Sequence, residues 1–413
     1  MRVLALGGAG AMGAVAVREA ARQPRVSRIV VADRDLVTAE AVVRRSPGKT
    51  MPLRVDVTDD DALRAALADA DVVLNTVGPY YRFGMRVLSA AIETGTHYLD
   101  ICDDWEPTLQ MLQADRAARS AGVCAVVGAG ASPGVSNLLA ARAVRELDAV
   151  HDLYTAWPVD VPAAGDQDDD QLLGPDGRPS AAAVHWMEQI SGTVAVVENG
   201  HLVHRPPLRP ITLVLPEGRT GTAYTVGHPE PVTLHRSFRP TGQAANLMVV
   251  TTGTLAYLNV LRRDLDAGRL TNETAAADLA APSLARALRA WAGSLTRKGP
   301  GSLPPFFAAA GGTHQGRPRT VLAHLSNAPE DTDDAPDATT PPLIADMAEA
   351  TGVPLALALA QILDGTALKP GVRPPETALD PDRFFADLNR HHPGNDLNVT
   401  VEHTSTPLRP ARP

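Results

Sequence analysis

Cysteine is nearly absent from this chain. Two, Cys102 and Cys124, occur in 413 residues, too few for a disulfide scaffold and in keeping with a reducing compartment. No apolar run is long enough to span a bilayer. The opening Met1-Arg2-Val3-Leu4-Ala5-Leu6-Gly7 lacks a charged n-region, a long apolar h-region and a cleavage site. The expectation is a cytoplasmic protein with no membrane partner. Positive charge is not in excess either: the net charge of −9 argues against a nucleic-acid partner, because phosphate recognition needs a basic face. Metal-binding signatures are missing. There is no His-Glu-x-x-His and no Cys-x-x-Cys, and His201 and His204 stand at odd spacing on a predicted strand, facing opposite sides. No metal site is expected. Internal repeats are absent.

What the chain does have is length for two domains and an ordinary apolar content of 44%. From residue 1 to about 130, short apolar runs alternate with alanine-rich helical stretches. Val3 to Leu6, Arg28 to Ala32, Leu53 to Asp56, Val72 to Thr76, His97 to Asp100 and Val123 to Gly128 read as strands. This rhythm predicts a parallel sheet covered on both faces. After Gly134 it gives way to a β-rich pattern, with a hairpin signal at Asn199-Gly200. Thr254 to Trp291 then reads as helical, and Ala323 to Asn327 as the last strand. The predicted fold is α/β: an N-terminal Rossmann-type parallel sheet over 1–131, a second, α+β domain over 132–342, C-terminal helices over 343–392 and a polar tail over 393–413. The acidic stretch 165–170 is a candidate lid, and 329–342 reads as a proline-rich loop.

The strongest motif is Gly8-Ala9-Gly10-Ala11-Met12-Gly13, which follows a strand and opens a helix. Gly8 permits the tight turn, Gly10 lets the backbone approach a pyrophosphate, and Gly13 lets helix and strand pack closely. Ala11 and Met12 begin the helix whose free N–H groups face the anion. Asp33 stands twenty residues after Gly13, where an acidic residue bonds the adenosine ribose. Asp33 favours NAD, whereas Arg34 keeps NADP open. Asp56 and Val57, closing the third predicted strand, are expected to flank the adenine; the other reading of Asp56 is a helix cap. Thr76, Val77, Gly78 and Pro79 end the fourth strand, beside the nicotinamide half, with Tyr80 at the mouth of the substrate site.

The string Asn75-Thr76-Val77-Gly78-Pro79-Tyr80-Tyr81-Arg82-Phe83-Gly84 resembles the saccharopine dehydrogenase (reductase)-like family. So do His97 to Asp104, Gly130 to Asn137, Gly227 to Leu234 and Gly371 to Glu376, in the same order along the chain. The resemblance implies a dinucleotide-binding Rossmann domain over 1–131, an α+β domain over 132–342 that carries the substrate and, in many members, builds a homodimer, and C-terminal helices over 343–392 that pack back on the first domain. It also implies NAD(P)-dependent interconversion of imines and secondary amines on amino-acid-like or polyamine substrates. A homospermidine-synthase-like, redox-neutral C–N bond-forming enzyme and a non-catalytic dinucleotide sensor are the alternatives.

Imine reduction needs a positioned hydride donor and a protonated nitrogen. Asp100, Asp103 and Asp104 follow the fifth strand, where crowded carboxylates raise one another's pKa or hold a substrate ammonium. Asp100 as a loop tie and Asp103 as a helix cap are the structural readings. Asp103, Tyr80 and His228 are the candidate catalytic residues; Asp100, Asp104, Glu230, Arg236 and His185 are candidate substrate contacts. Tyr80 also fits a core-packing role. His228 and Glu230 lie in a proline-flanked stretch that reads as a rigid turn.

Overall fold

The computed structural model describes residues 1–46, 48–159, 172–173, 177–325, 343–403 and 408. The candidate lid at 165–170 and the proline-rich stretch 329–342 lie outside these residues. The chain divides into two compact units, Met1–Arg142 with Leu325–Asn398, and Ala143–His324 with Val399–Pro413.

The first unit holds six parallel strands, β1 (Arg2–Leu6), β2 (Arg28–Asp33), β3 (Thr50–Arg54), β4 (Val72–Asn75), β5 (His97–Asp100) and β6 (Cys124–Val126), of which all but the edge strand β3 grow from buried apolar runs. A seventh, β15 (Gly371–Arg373), joins β6 in parallel from far along the chain. The order β15-β6-β5-β4-β1-β2-β3 reverses direction between β1 and β4, the switch point beside which ligands bind in such sheets. Helix α1 (Ala11–Arg22) follows β1. The other helices are α2 (Leu36–Arg45), α3 (Asp60–Ala68), α4 (Tyr80–Thr94), α5 (Trp105–Gln113), α6 (Asp115–Ser120), α7 (Val135–Val144), α13 (Met347–Leu363), α14 (Pro375–Ala378) and α15 (Pro381–His391). Two predicted boundaries move. β3 stops at Arg54, leaving Asp56 and Val57 in the loop beyond it, and Asp59 rather than Asp56 caps α3, accepting from Asp61 N and Ala62 N.

α13 lies directly on α1. A Cβ on Gly352 would stand 2.6 Å from Met12 O and 2.7 Å from Val15 Cβ, so only glycine permits this crossing. Arg18 donates to both Glu349 oxygens at 2.8 and 2.7 Å, and Gln23 Nε2 donates to Ala356 O at 2.6 Å.

The second unit is built on a nine-stranded sheet. It contains β7 (Ala149–Pro158), β8 (Val194–Glu198), β9 (His201–Arg205), β10 (Pro210–Leu215), β11 (Arg219–Thr225), β12 (Ala244–Val249), β13 (Phe307–His314), β14 (Arg317–Leu325) and β16 (Leu397–His403). The main path runs β10-β11-β12-β7-β13-β14-β16, with the β8–β9 hairpin attached to β12. Asn199 and Gly200, both at positive φ, make that hairpin's turn, as their sequence predicts. β12 and β7 are parallel, whereas β7–β13 and β13–β14 are antiparallel. One face of the sheet buries Tyr154, Leu213, Leu247, Phe307 and Leu322. The other buries Met248 and Val226 against helical residues Met187, Ile190, Leu255 and Leu258. Its helices are α8 (Ala181–Gln189), α9 (Glu230–Phe238), α10 (Thr252–Asp266), α11 (Asn272–Ala280) and α12 (Leu284–Ser294).

The helical reading of Thr254 to Trp291 holds as three helices, broken at Gly268 (φ +66) and before Pro282. Two expectations are corrected here. The strand at Ala323 is part of β14 and is not the last, since β15 and β16 follow. The supposed turn around Glu230 is the start of α9, because Pro229 and Pro231 fall where a helix needs no backbone N–H. Among the described residues no helix is long and apolar enough to cross a membrane.

Candidate active site

The glycine loop sits at the switch point. Gly7 and Gly8 N–H both donate to Ala32 O, at 2.9 and 3.3 Å, tying the loop to the end of β2. Thr76 Oγ1 lies 3.0 Å from both Leu6 O and Gly7 O, bracing it from β4. A Cβ on Gly13 would stand 2.4 Å from Gly7 O and 2.8 Å from Thr76 Oγ1. Gly13 is therefore required by packing. Gly10 is different: it is exposed, and its Cβ would meet only Gly7 O, at 3.4 Å. The protein leaves room there, and the bare backbone faces outward at the N-terminus of α1. Ala11, Met12 and Gly13 form the first turn, whose N–H groups have no intrahelical acceptor. This cradle fits a dinucleotide pyrophosphate.

Asp33 ends β2 and its Oδ1 accepts from Asp35 N at 3.1 Å. Arg34 is exposed. Asp56 accepts from Thr58 N and Oγ1, which, with the nearby Arg34 and Arg54, holds its carboxyl below the usual range. Gly78 is exposed, and nothing lies within 4 Å of where its Cβ would be.

At the carboxyl ends of β4 and β5 a buried polar chain runs inward. Asn75 Nδ2 donates to Tyr98 Oη at 3.0 Å, and Tyr98 Oη donates to Asp100 Oδ2 at 2.7 Å. Asp100 Oδ1 accepts from Gly128 N and Cys102 N at 2.6 and 3.1 Å. Asp100 is fully buried, and desolvation raises its pKa to about 6 despite these donors. It thus ties the β5 and β6 loops together. Tyr80 is also buried. Its hydroxyl donates to Asn75 O at 2.8 Å and accepts from Ile101 N at 3.4 Å, and burial pushes its pKa up. These engagements suit a wall of the site better than a proton donor. Cys102 is buried, and desolvation with Asp100 raises its thiol pKa, so it makes a poor nucleophile. Asp103 and Asp104 are half-buried ahead of α5, and the N-cap position belongs to Asp104, not Asp103. Two distant family-like strings meet in this unit: Asn137 Nδ2 donates to Glu376 Oε2 at 2.9 Å.

The second unit holds a compact buried cluster. His228 is 4% exposed and Glu230 fully buried. The His228 ring stacks on Trp157 with centroids 5.1 Å apart, and its Nδ1 is 3.7 Å from Glu230 Oε2. Asn246 Nδ2 donates to Glu230 Oε1 at 2.7 Å and to Thr155 Oγ1 at 3.0 Å, while its Oδ1 accepts from Trp157 Nε1 at 3.0 Å. Asn246 thus bridges the Glu230 carboxyl, Thr155 and the Trp157 indole. His185 lies on α8, its Nε2 3.3 Å from the Gln189 side chain. Gln189 O in turn accepts from Gly227 N at 2.9 Å. The structure thus brings His185's helix against the His228 loop. Arg236, by contrast, faces solvent on α9. Chemically, an imidazole backed by a carboxylate is suited to moving a proton. Sequence reasoning missed Thr155, Trp157 and Asn246; the one available signal was a lone Asn within the buried strand Ala244–Val249.

Residues 3–126 match the model of the saccharopine dehydrogenase NADP binding domain. Over 123 residues the chain is 35% identical to saccharopine dehydrogenase [NADP(+), L-glutamate-forming] of Saccharomyces cerevisiae, covering 30% of this chain and 25% of that protein. It is 29% identical over 102 residues to the trans-acting enoyl reductase of Mycobacterium leprae, covering 24% of each. The aligned stretch spans about a quarter of these relatives' length. A solved structure of apo saccharopine dehydrogenase (L-Glu forming) from Saccharomyces cerevisiae superposes with a TM-score of 0.63 at 19% identity, covering 97% of this chain and 99% of that one. The whole chain therefore shares that fold.

Proposed function

We propose, from the match of residues 3–126 to the model of the saccharopine dehydrogenase NADP binding domain, that the protein is an NAD(P)-dependent oxidoreductase acting on carbon–nitrogen bonds. The substrate class is an imine or secondary amine carried on an amino-acid-like or polyamine framework. The observation that carries the reading is the cradle in which Gly13 packs on Thr76 while Gly10 stays open.

Bound nicotinamide supplies the hydride. The chain's own groups bind, orient and protonate. The N–H groups opening α1 hold the pyrophosphate, and Asp33 binds the ribose. Arg34 and Arg54, both close enough to act on Asp56, offer a 2′-phosphate two cations, which supports NADP over NAD. Thr76 to Pro79 flank the nicotinamide. His228, steadied by Glu230 and the Trp157 face, protonates the nitrogen; Asp103 and Asp104 attract the substrate's ammonium.

The test is consumption of NADPH, followed by its absorbance, with paired amines and oxo acids. Turnover is expected with wild-type protein, with loss of cofactor binding in Gly10→Ala. His228→Ala should lose at least a hundredfold in kcat with cofactor affinity intact. Cofactor binding without turnover of any such pair overturns the reading. The similarity to a trans-acting enoyl reductase favours a second reading, hydride delivery to a carbon–carbon double bond; oxidation of NADPH by enoyl thioesters but not by imine-forming pairs selects it.

A further inference from the structure

Arg297 departs from the pattern that the other partly buried arginines keep. Among the described residues, each of those meets a carboxylate or a set of backbone carbonyls, because a cation withdrawn from water needs a partner. Arg297 is half-buried, three residues past the end of α12. Its Nε is shut off from solvent with no acceptor, and its guanidinium donates no hydrogen bond among the described residues. The charges around it have the wrong sign. Desolvation pulls its pKa down from the usual arginine value; Tyr224 opposes this, and Arg263 and Arg262 of α10 add to it. No carboxylate takes part.

The nearby acids are engaged elsewhere. Asp264 holds Arg269, Arg286 and Arg289. Asp266 accepts from Arg262 Nη1 at 3.0 Å and from Gly192 N at 2.9 Å. Arg262 Nη2 donates to Asn259 Oδ1 at 3.3 Å, but its Nε, like that of Arg297, is buried without an acceptor. Arg263 is exposed and makes no ion pair among the described residues. From Leu261 to Lys298 seven lysines and arginines stand against four acids, so a chain of net charge −9 carries a local positive excess here. A helix dipole does not answer for Arg297, since its attraction fades within the last turn. The backbone that presents Arg297 is fixed. Tyr224 Oη donates to Lys298 O at 2.8 Å and Thr222 N to Gly299 O at 3.0 Å. A Cβ on Gly221 would stand 1.7 Å from Pro300 O, so this segment lies flush on β11.

We propose that Arg297, Arg263 and the Nε of Arg262 form a binding site for a phosphate group, built from none of the residues assigned to the cofactor. Two uncompensated guanidiniums call for a dianion. A phosphomonoester carries about −1.5 to −2 charges and three acceptor oxygens, which guanidinium forks match in pairs. A monocarboxylate would leave one cation unpaired. Orthophosphate, a phosphorylated metabolite and a phosphatidic acid headgroup all present this group.

Isothermal titration calorimetry with sodium phosphate tests this, at fixed ionic strength and with saturating NADPH to fill the cofactor's own phosphate sites. Wild type is expected to bind phosphate saturably. Arg297→Met, which keeps the packing of the arginine stem, should bind at least tenfold more weakly, and Arg263→Ala at least threefold. In phosphate-free chloride buffer Arg297→Met should melt no lower than wild type, because it removes a cation without a partner. Phosphate should raise the melting temperature of wild type but not of Arg297→Met. Arg263→Ala, at an exposed position, carries the test should Arg297→Met not fold. Wild type without saturable binding overturns the proposal, as does an affinity unchanged in both variants. A lower melting point for Arg297→Met in chloride, with phosphate affinity retained in Arg263→Ala, also overturns it. Competition by glycerol 3-phosphate upholds the site and selects a soluble ester. Arg297-dependent pelleting with phosphatidic acid vesicles, without such competition, upholds it and selects the headgroup.

Discussion

Gly10 and Gly13 lie in one loop, yet a methyl group should trouble them for different reasons. At Gly13 the added carbon collides with Gly7 O and Thr76 Oγ1. Gly13→Ala is therefore expected to cost about 1–3 kcal/mol of folding stability and to weaken cofactor binding as well. At Gly10 the protein has room, so Gly10→Ala should leave the urea midpoint nearly unchanged and still weaken NADPH binding at least tenfold. Equal destabilisation by both changes would refute this division of roles. Asp100 makes a second prediction at this scale. Its pKa rises to about 6 on burial, above the unfolded value near 3.9. Between those values the folded state keeps a proton that the unfolded chain has lost. Its stabilisation is thus present at low pH and fades as pH rises through 6, by roughly 2–3 kcal/mol. The difference in urea midpoint between wild type and Asp100→Asn should shift between pH 4 and 7; a constant difference contradicts it.

The crossing of α13 on α1 is the element-level contact that reaches the cofactor loop. Gly352→Ala would push α13 off Met12, with an expected loss of about 1–3 kcal/mol and weaker NADPH binding, measurable by melting and by titration. The Arg18–Glu349 pair nearby is partly exposed and is worth at most about 1 kcal/mol; Glu349→Gln should be close to neutral in the same melts. Legibility differs by element for physical reasons. The strands β1, β2, β4, β5 and β6 are short apolar runs buried on both faces, so composition alone exposes them. β15 is three residues, Gly371-Val372-Arg373, with no period to detect; only its place beside β6 makes it a strand. α9 hides behind Pro229 and Pro231, which read as turn residues until a helix start is recognised. At the site, the glycine loop carries a local motif. The Asn246–Glu230–His228–Trp157 cluster does not, because its members come from separate elements and meet only through folding. Asp100 reads as one of three adjacent carboxylates, but that its partners would be Tyr98 and two backbone N–H groups depends on the β4–β5–β6 register.

For the molecule as a whole, the first unit is discontinuous: Leu325–Asn398 returns to Met1–Arg142. Gly371 N donates to Val123 O at 2.8 Å and Val127 N to Arg373 O at 3.1 Å, so the late segment completes hydrogen bonds that the early one leaves open. A fragment ending at residue 131 would lack β15 and the α13 cover on Val15. It is expected to be poorly soluble or molten and to bind NADPH weakly, which near-ultraviolet circular dichroism and titration would check against the full chain. A discontinuous unit also imposes an order in time. The strands β1 to β6 leave the ribosome well before β15, which completes their sheet. At ~5–20 residues per second the sheet's open edge at β6 waits tens of seconds for β15. Until then a nascent edge strand and the uncovered face of α1 are open to wrong partners, so chaperone demand during synthesis should fall on the dinucleotide-binding half.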